Sequence, residues 1–448
     1  MTQLNTSSGK LKRSLSSLHL WSIAVGLVIS GEYFGWSYGW GAAGTLGFLI
    51  STLLVATLYT TFVFSFTELT TAIPEAGGPY AYAKRAMGPW GGFFAGYSAL
   101  IEFLFAPPAI AFALGSYIHF IFPQVSILSG SILVFVGFCL INLLGVQYTA
   151  RFELIVTLIA VVELLIFIGL VGPHFQLENF LRDGYSQGHS GIFAAIPYAI
   201  WFFLAIEGVA MAAEEVKNPH RDIPLGYISG IATLVILALG VMLAAGGVGD
   251  WKVLSQLDYP VPEAMAMALG RDHVWVKALA GIGIFGLIAS LNGIIYSSSR
   301  QVYALARSGL LPKSLSHIHS RFHSPHGAVL FCGLVGVVSL LSGRTAELIT
   351  LSALGAVLMY SISMISLMIL RRKEPDLHRP FRVPFYPIFP GIALILSVLS
   401  FASILYYNRK LALVFLGMMA LGAIYHFIFQ DDVTLPGEPI LEEASARS

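Results

Sequence analysis

Charge is what this sequence lacks. Of 448 residues, 25 are Lys or Arg and 24 are Asp or Glu, so 11% are charged and the formal net charge is +1. Soluble domains carry about 25%. Hydrophobic residues make up 56%, more than a soluble globule could hide behind so thin a polar coat. The balance of signs excludes a basic surface of the kind that binds nucleic acid. Cysteine is nearly missing as well. Cys139 and Cys332 both sit in apolar runs, which excludes a disulfide scaffold and a cysteine-rich metal site. No nucleophile elbow, phosphate-binding loop or zinc motif occurs, so nothing supports catalysis and no cofactor is expected.

What is present is a series of apolar runs of about 18 residues or more, the length that crosses ~30 Å of hydrocarbon. They fall near 18–40, 44–67, 90–121, 126–147, 152–172, 192–213, 225–248, 277–306, 326–343, 346–370, 387–407 and 410–429. The expected fold is therefore an all-α polytopic membrane protein with 12 transmembrane helices. It divides into a segment 1–17, a single membrane domain over 18–429 and a tail 430–448. Within the domain, spans 1–5 cover 18–172, spans 6–10 cover 192–370 and spans 11–12 cover 387–429. Continuous apolar runs exclude the ~10-residue alternation of a membrane β-barrel. Counting from the N-terminus, 18 of the 25 basic residues fall on its side of the membrane and 7 on the other. The positive-inside rule then places both termini in the cytoplasm; the expected location is the cytoplasmic (inner) membrane. A polar stretch before the first run, with no small-residue cleavage site, makes that run a retained span.

Two of the spans invite a break. Ile29-Ser30-Gly31-Glu32-Tyr33-Phe34-Gly35 lies in the middle of span 1, and Phe203-Leu204-Ala205-Ile206-Glu207-Gly208 in the middle of span 6. Each joins a glycine to a carboxylate at bilayer depth, and the two places correspond if spans 1–5 and 6–10 are halves of one design. Interrupted spans at corresponding positions mark the binding site of many membrane carriers. The glycines alone also suit close helix packing, since Gly31, Gly35 and Gly39 form a G-x-x-x-G ladder. The carboxylates tip the balance, because a charge at mid-membrane costs about 2.5–3.5 kcal/mol and is seldom kept without a use. Glu32 and Glu207 are read as contacts for a substrate or coupling ion. Glu102, ahead of the helix-kinking pair Pro107-Pro108, is a further candidate. Glu163 serves either in coupling or in structure; Glu68, Glu153, Glu214 and Glu215, near helix ends, are read as structural. Trp201, Phe202 and Phe203 beside one break, and Tyr33, Phe34 and Trp36 beside the other, suit either ordinary packing or a cage for a small ammonium ion. His317, His319, His323 and His326 lie in one loop without acidic or cysteine partners, so no metal site is expected there.

Four further segments carry a resemblance. Glu68-Leu69-Thr70-Thr71-Ala72-Ile73-Pro74-Glu75-Ala76-Gly77-Gly78-Pro79-Tyr80 follows span 2, and Glu214-Glu215-Val216-Lys217-Asn218-Pro219 follows span 6. Ser297-Ser298-Ser299-Arg300-Gln301-Val302-Tyr303 ends span 8, and Leu370-Arg371-Arg372-Lys373-Glu374-Pro375 ends span 10. In this order they resemble the amino acid–polyamine–organocation superfamily of secondary transporters over nearly the whole chain. The resemblance implies the leucine-transporter-like 5+5 inverted repeat with broken spans 1 and 6, and a substrate held between the breaks. It implies that Trp201 matches an aromatic gate and Glu207 an acidic residue of related transporters, with an ammonium facing the carbonyls where the first half of span 6 ends, near Phe203 and Ala205. In amino acid members a small Gly-Ser-Gly-like break grips the substrate carboxylate with backbone N–H groups.

Here the stretch reads Ser30-Gly31-Glu32, with Glu32 where those members have a second glycine. A carboxylate there repels another carboxylate. The whole segment Ser30-Gly31-Glu32-Tyr33-Phe34-Gly35-Trp36 is similar to the signature of the ethanolamine permeases, whose substrate is an amine without a carboxylate. The expectation is a permease importing ethanolamine by alternating access, with Ser30, Gly31, Glu32, Tyr33, Glu102, Trp201, Phe203, Ala205, Glu207 and Asn292 around the substrate. Alternatives are another small amine or a small neutral amino acid. A nutrient sensor on the same scaffold would carry a longer signalling tail. The span 5 lysine of several proton-linked relatives aligns with Ala160, so the coupling ion, H+ or Na+, stays open. Ser290 and Asn292 in span 8 face the same general region and do not decide it.

Overall fold

The computed structural model describes residues 13–75, 77–145, 150–322 and 324–429. Residues 1–12 of the N-terminal segment, Ala76, residues 146–149 of the segment aligned with relatives, His323 and the tail from 430 lie outside the described residues.

Among the described residues each apolar run is mainly helical. Nine helices among those residues are long and apolar enough to cross a membrane, and three shorter apolar ones, Ser17–Val28, Ile127–Leu143 and His326–Leu341, stand where spans 1, 4 and 9 fall. Helix is the form available to a chain in lipid, because it satisfies its own backbone. Among the described residues no strand occurs; one isolated bridge joins Leu15 to Val216. That bridge ties the residues just before span 1 to those just after span 6. Ser14 N–H and Leu15 N–H both donate to the Glu215 carbonyl, at 2.8 and 3.0 Å, and Lys217 N–H donates to the Leu15 carbonyl at 2.9 Å.

The interior is built around span 3, within Gly78–Ile121, and span 10, Thr345–Lys373, whose mutual contact is the most extensive in the molecule. Gly355 makes this approach close, since a Cβ there would press on the Ser98 carbonyl and sit 2.7 Å from Glu102 N. Span 3 was expected to kink at Pro107-Pro108. Its dihedrals instead stay helical through both prolines, and the one departure falls at Gly88, with φ +77°. Transmembrane helices tolerate proline when neighbours cover the freed backbone. Spans 11 and 12, Ile388–Tyr407 and Arg409–Phe429, lie at the periphery with Ile395, Leu413, Leu421 and Phe427 exposed. Apolar side chains facing outward are what lipid, and not water, accepts.

One ionic cluster locks spans 2 and 10 together. Glu68, fully buried, takes both prongs of the Arg371 guanidinium at 2.6 Å, the Arg379 Nε at 3.2 Å and the Val383 N–H at 2.8 Å. Nearby, Arg85 pairs with Glu374 at 2.6 Å on the surface. The guanidinium beside it holds the Glu374 carboxyl below the usual carboxylate range.

Candidate functional site between the two broken spans

Spans 1 and 6 are the interrupted ones. Span 6 runs as helix from Ile196 to Trp201, turns at Phe202–Ala205, and continues as a 3-10 helix over Ile206–Glu215. Ala205 carries φ +77°, a left-handed conformation that costs a residue with a Cβ about 1–3 kcal/mol and persists where surroundings enforce it. The span 1 break lies one turn later than the sequence suggested. Ser17–Val28 continues with only a slight irregularity at Ile29 into a helical turn, Ser30–Tyr33, and Glu32 N–H donates to the Ile29 carbonyl at 3.0 Å. The chain opens at Phe34–Ser37, where Phe34 is extended and Gly35 has φ +86°. Gly35, free of a Cβ, supplies the reversal, whereas Gly31 serves a different purpose. A Cβ on Gly31 would collide with the Trp201 carbonyl and come 3.1 Å from Phe202 Cα, so its role is to let the two breaks touch.

Aromatic rings interlock the two breaks. Trp201 lies edge-on to Phe34, centroids 5.4 Å apart, and a Cβ on Gly35 would fall 2.7 Å from its ring. Trp36 stacks on Phe202 at 5.9 Å and meets Trp40 edge-on at 4.9 Å, while its indole N–H donates to the Glu32 carbonyl at 3.0 Å. Trp201 itself is buried, with no hydrogen-bond partner for its indole nitrogen.

The carboxylates sort into three environments. Glu207 and Glu102 are electrostatic neighbours, and the Ala205 backbone reaches toward Glu102. The Tyr360 hydroxyl donates to Glu207 Oε2 at 3.0 Å and lies 3.0 Å from the Tyr59 hydroxyl. Phe203 packs its ring 5.2 Å from Tyr59. Three buried oxygens of the pair, both of Glu102 and Oε1 of Glu207, have no partner of good hydrogen-bond geometry. Glu32 is also fully buried, with neither oxygen partnered. The third is Glu163, which meets the Tyr33 hydroxyl.

The polar residues of span 8 separate. Ser290 donates to the Leu27 carbonyl at 2.8 Å and lies 2.8 Å from the Ser30 hydroxyl, bracing span 1. Asn292, expected to face the same region, instead accepts from the Asn142 amide of span 4 at 2.9 Å. Two positions turn a helix through about 200°, which sends these side chains opposite ways. The structure also brings in Tyr59 and Tyr360, which no motif singled out among 19 tyrosines. Their spans are apolar throughout, and a hydroxyl aimed at a carboxylate leaves no trace in spacing. His319 of the loop stacks at 4.3 Å on His326, the first residue of the helix His326–Leu341.

A polytopic helical bundle, broken at two corresponding spans with carboxylates buried beside the breaks, is the architecture of a membrane transporter. More particularly, the chain belongs to the amino acid permease family, whose model matches residues 15–425. It is similar to an uncharacterized transporter of Rhizobium meliloti, 29% identical with 93% of this chain and 92% of the relative covered. It is similar also to a branched-chain amino acid permease of Bacillus subtilis, at 26% over 94% and 93%, and to a methylthioribose transporter of the same organism, at 27% over 86% and 87%.

Proposed function

We propose that this permease imports a small primary amine, ethanolamine foremost, across the cytoplasmic membrane by alternating access, with both termini in the cytoplasm. The observation that carries the reading is the Glu102–Glu207 pair. Two carboxyl groups share a desolvated site, and among the described residues no Lys, Arg or His forms an ion pair with either. Like charges so placed ask for a cation or a shared proton. An ammonium among Tyr59, Phe203 and Tyr360 supplies the cation and gains attraction from the ring faces.

The span 1 turn supports an amine over an amino acid. A substrate carboxylate needs free N–H groups at a helix start; here Glu32 N–H is engaged and its side chain puts a second carboxyl group at the same turn. A relative named for methylthioribose, which has no carboxylate, fits a family whose cargo need not carry one. The second reading is a small neutral amino acid, favoured by the relative named for branched-chain amino acids.

Uptake of labelled ethanolamine into proteoliposomes, challenged with unlabelled ethanolamine, serine and leucine, decides between them. Ethanolamine should compete and the amino acids should not; saturable leucine or serine uptake without ethanolamine uptake would overturn the first reading. In Glu32→Gly, serine should begin to compete, because like-charge opposition worth several kcal/mol in a desolvated site is removed. If serine is still excluded, Glu32 is not the selector. Trp201→Ala opens the aromatic seam over the span 1 break. It should weaken ethanolamine binding by about 0.5–2 kcal/mol and raise leak of preloaded substrate; unchanged affinity and retention would remove Trp201 from the gate.

A further inference from the structure

Span 5, Ala150–Val171, holds a carboxylate that substrate recognition does not use. Glu163 is 2% exposed, and its Oε2 meets the Tyr33 hydroxyl. That hydroxyl also lies 3.3 Å from the Ala160 carbonyl, and the Tyr117 hydroxyl donates to the Tyr33 carbonyl at 3.0 Å. Gly283 and Gly286 of span 8 shape a slot for the ring: a Cβ on either would come 3.0 Å from Tyr33. On its other side Glu163 lies behind a shallow apolar groove on the outer face of span 5, lined by Leu158, Ile159, Val162, Ile166 and Ile282, of which the first four are exposed. The titratable groups that act on it are Tyr33 from span 1 and Tyr117 from span 3. Among the described residues, spans 7 and 8 bring no charge to it, and Glu263 of the nearby helix Pro260–Leu269 is paired with Arg271 at 2.5 Å.

The hydrogens can be counted. Tyr33 has one hydroxyl proton and two acceptors within reach. With Glu163 ionised, that proton must go to the carboxylate, which remains an ion in an apolar pocket. With Glu163 protonated, the acid donates to the Tyr33 oxygen and Tyr33 donates to the Ala160 carbonyl, so every group is satisfied without charge. Removing a buried charge and satisfying each donor both favour the second state. Tyr33 sits beside Glu32 at the end of the helical part of span 1, one residue before the break. Any motion of span 1 therefore draws Tyr33 out of its slot.

We propose that Glu163 and Tyr33 form the proton-coupling site of this carrier. On the side from which substrate enters, Glu163 takes a proton from hydronium, forming the carboxyl O–H bond and leaving water. Tyr33 then seats in its slot and span 1 closes. When span 1 opens to the other side and withdraws Tyr33, water reaches Glu163; the O–H bond breaks, and the proton leaves as hydronium. This rests on the chain being a carrier, not on which substrate it takes.

The test uses full-length protein in proteoliposomes, with the membrane potential clamped, an acid-outside gradient of one pH unit and pyranine trapped inside. The substrate is ethanolamine, or serine or leucine if the wild type proves to take those, so a wrong substrate assignment is recognised before coupling is measured. Wild type should accumulate substrate about tenfold, the factor one pH unit supplies per proton, with matching internal acidification. Glu163→Gln, and the apolar Glu163→Met, should keep counterflow of labelled substrate and lose both accumulation and acidification. Tyr33→Phe should lower the ratio of protons to substrate whatever its rate, and it decides the matter if neither Glu163 variant folds. Full accumulation in a Glu163 variant, an unchanged ratio in Tyr33→Phe, or wild-type transport without proton movement would each overturn the assignment.

Discussion

Glu207→Gln is expected to lower ethanolamine uptake by at least about 30-fold, the factor that corresponds to the ~2 kcal/mol lower bound for removing one partner of a buried charge pair. Glutamine keeps an oxygen for the Tyr360 hydroxyl, now 3.0 Å from Glu207 Oε2, so the fold around the break should survive. What it removes is the charge. Glu102 remains as a lone carboxyl beside the Ala205 turn, so the site offers an incoming ammonium one carboxyl group in place of two. Glu102→Gln should therefore cost about as much as Glu207→Gln, and the double variant little more than either, since the pair acts as one unit. Uptake assays on the three proteins, with folding checked by size-exclusion profile, measure this. Near wild-type uptake in Glu207→Gln would leave the amine reading without its main support.

The second large effect is on stability. Glu68→Ala strands Arg371 and the nearly buried Arg379, and it removes the acceptor of the Val383 N–H. Breaking a buried ion pair by deleting one member costs about 3–5 kcal/mol, because the other charge stays desolvated. Thermal unfolding in detergent should show a markedly lower midpoint for Glu68→Ala and a smaller drop for Glu68→Gln, which can still accept from one arginine. An unchanged midpoint would mean that the arginines find water or other partners when Glu68 is gone.

The sequence made some features legible and hid others for physical reasons. Hydropathy located the apolar helices, nine of them among the described residues long enough to cross a membrane, because lipid demands apolar segments of a minimum length. The span 6 break at Phe202–Ala205 lies just ahead of Glu207-Gly208, the carboxylate and glycine that stand out against apolar neighbours. The span 1 break was misplaced by a turn. Gly31 and Gly35 look alike in sequence, but one exists for a close approach and the other for a positive φ; only the neighbouring backbone distinguishes them. Glu102 and Glu207 come from spans far apart in sequence, and nothing local indicates that they adjoin. Asn292 shows the converse, as two polar residues close in sequence point to different partners.

The link between Leu15 and Val216 bears on how the molecule moves. It is made of main-chain groups, so it belongs to no particular side chain and survives most substitutions at the residues it joins. It fastens the outer ends of the two broken helices to each other. On that face of the membrane neither broken helix can tilt alone without parting backbone hydrogen bonds. Movement of either helix on that face is thereby coupled to the other through the main chain. The unwound stretches Phe34–Ser37 and Phe202–Ala205 are where each has the fewest helical hydrogen bonds to resist bending.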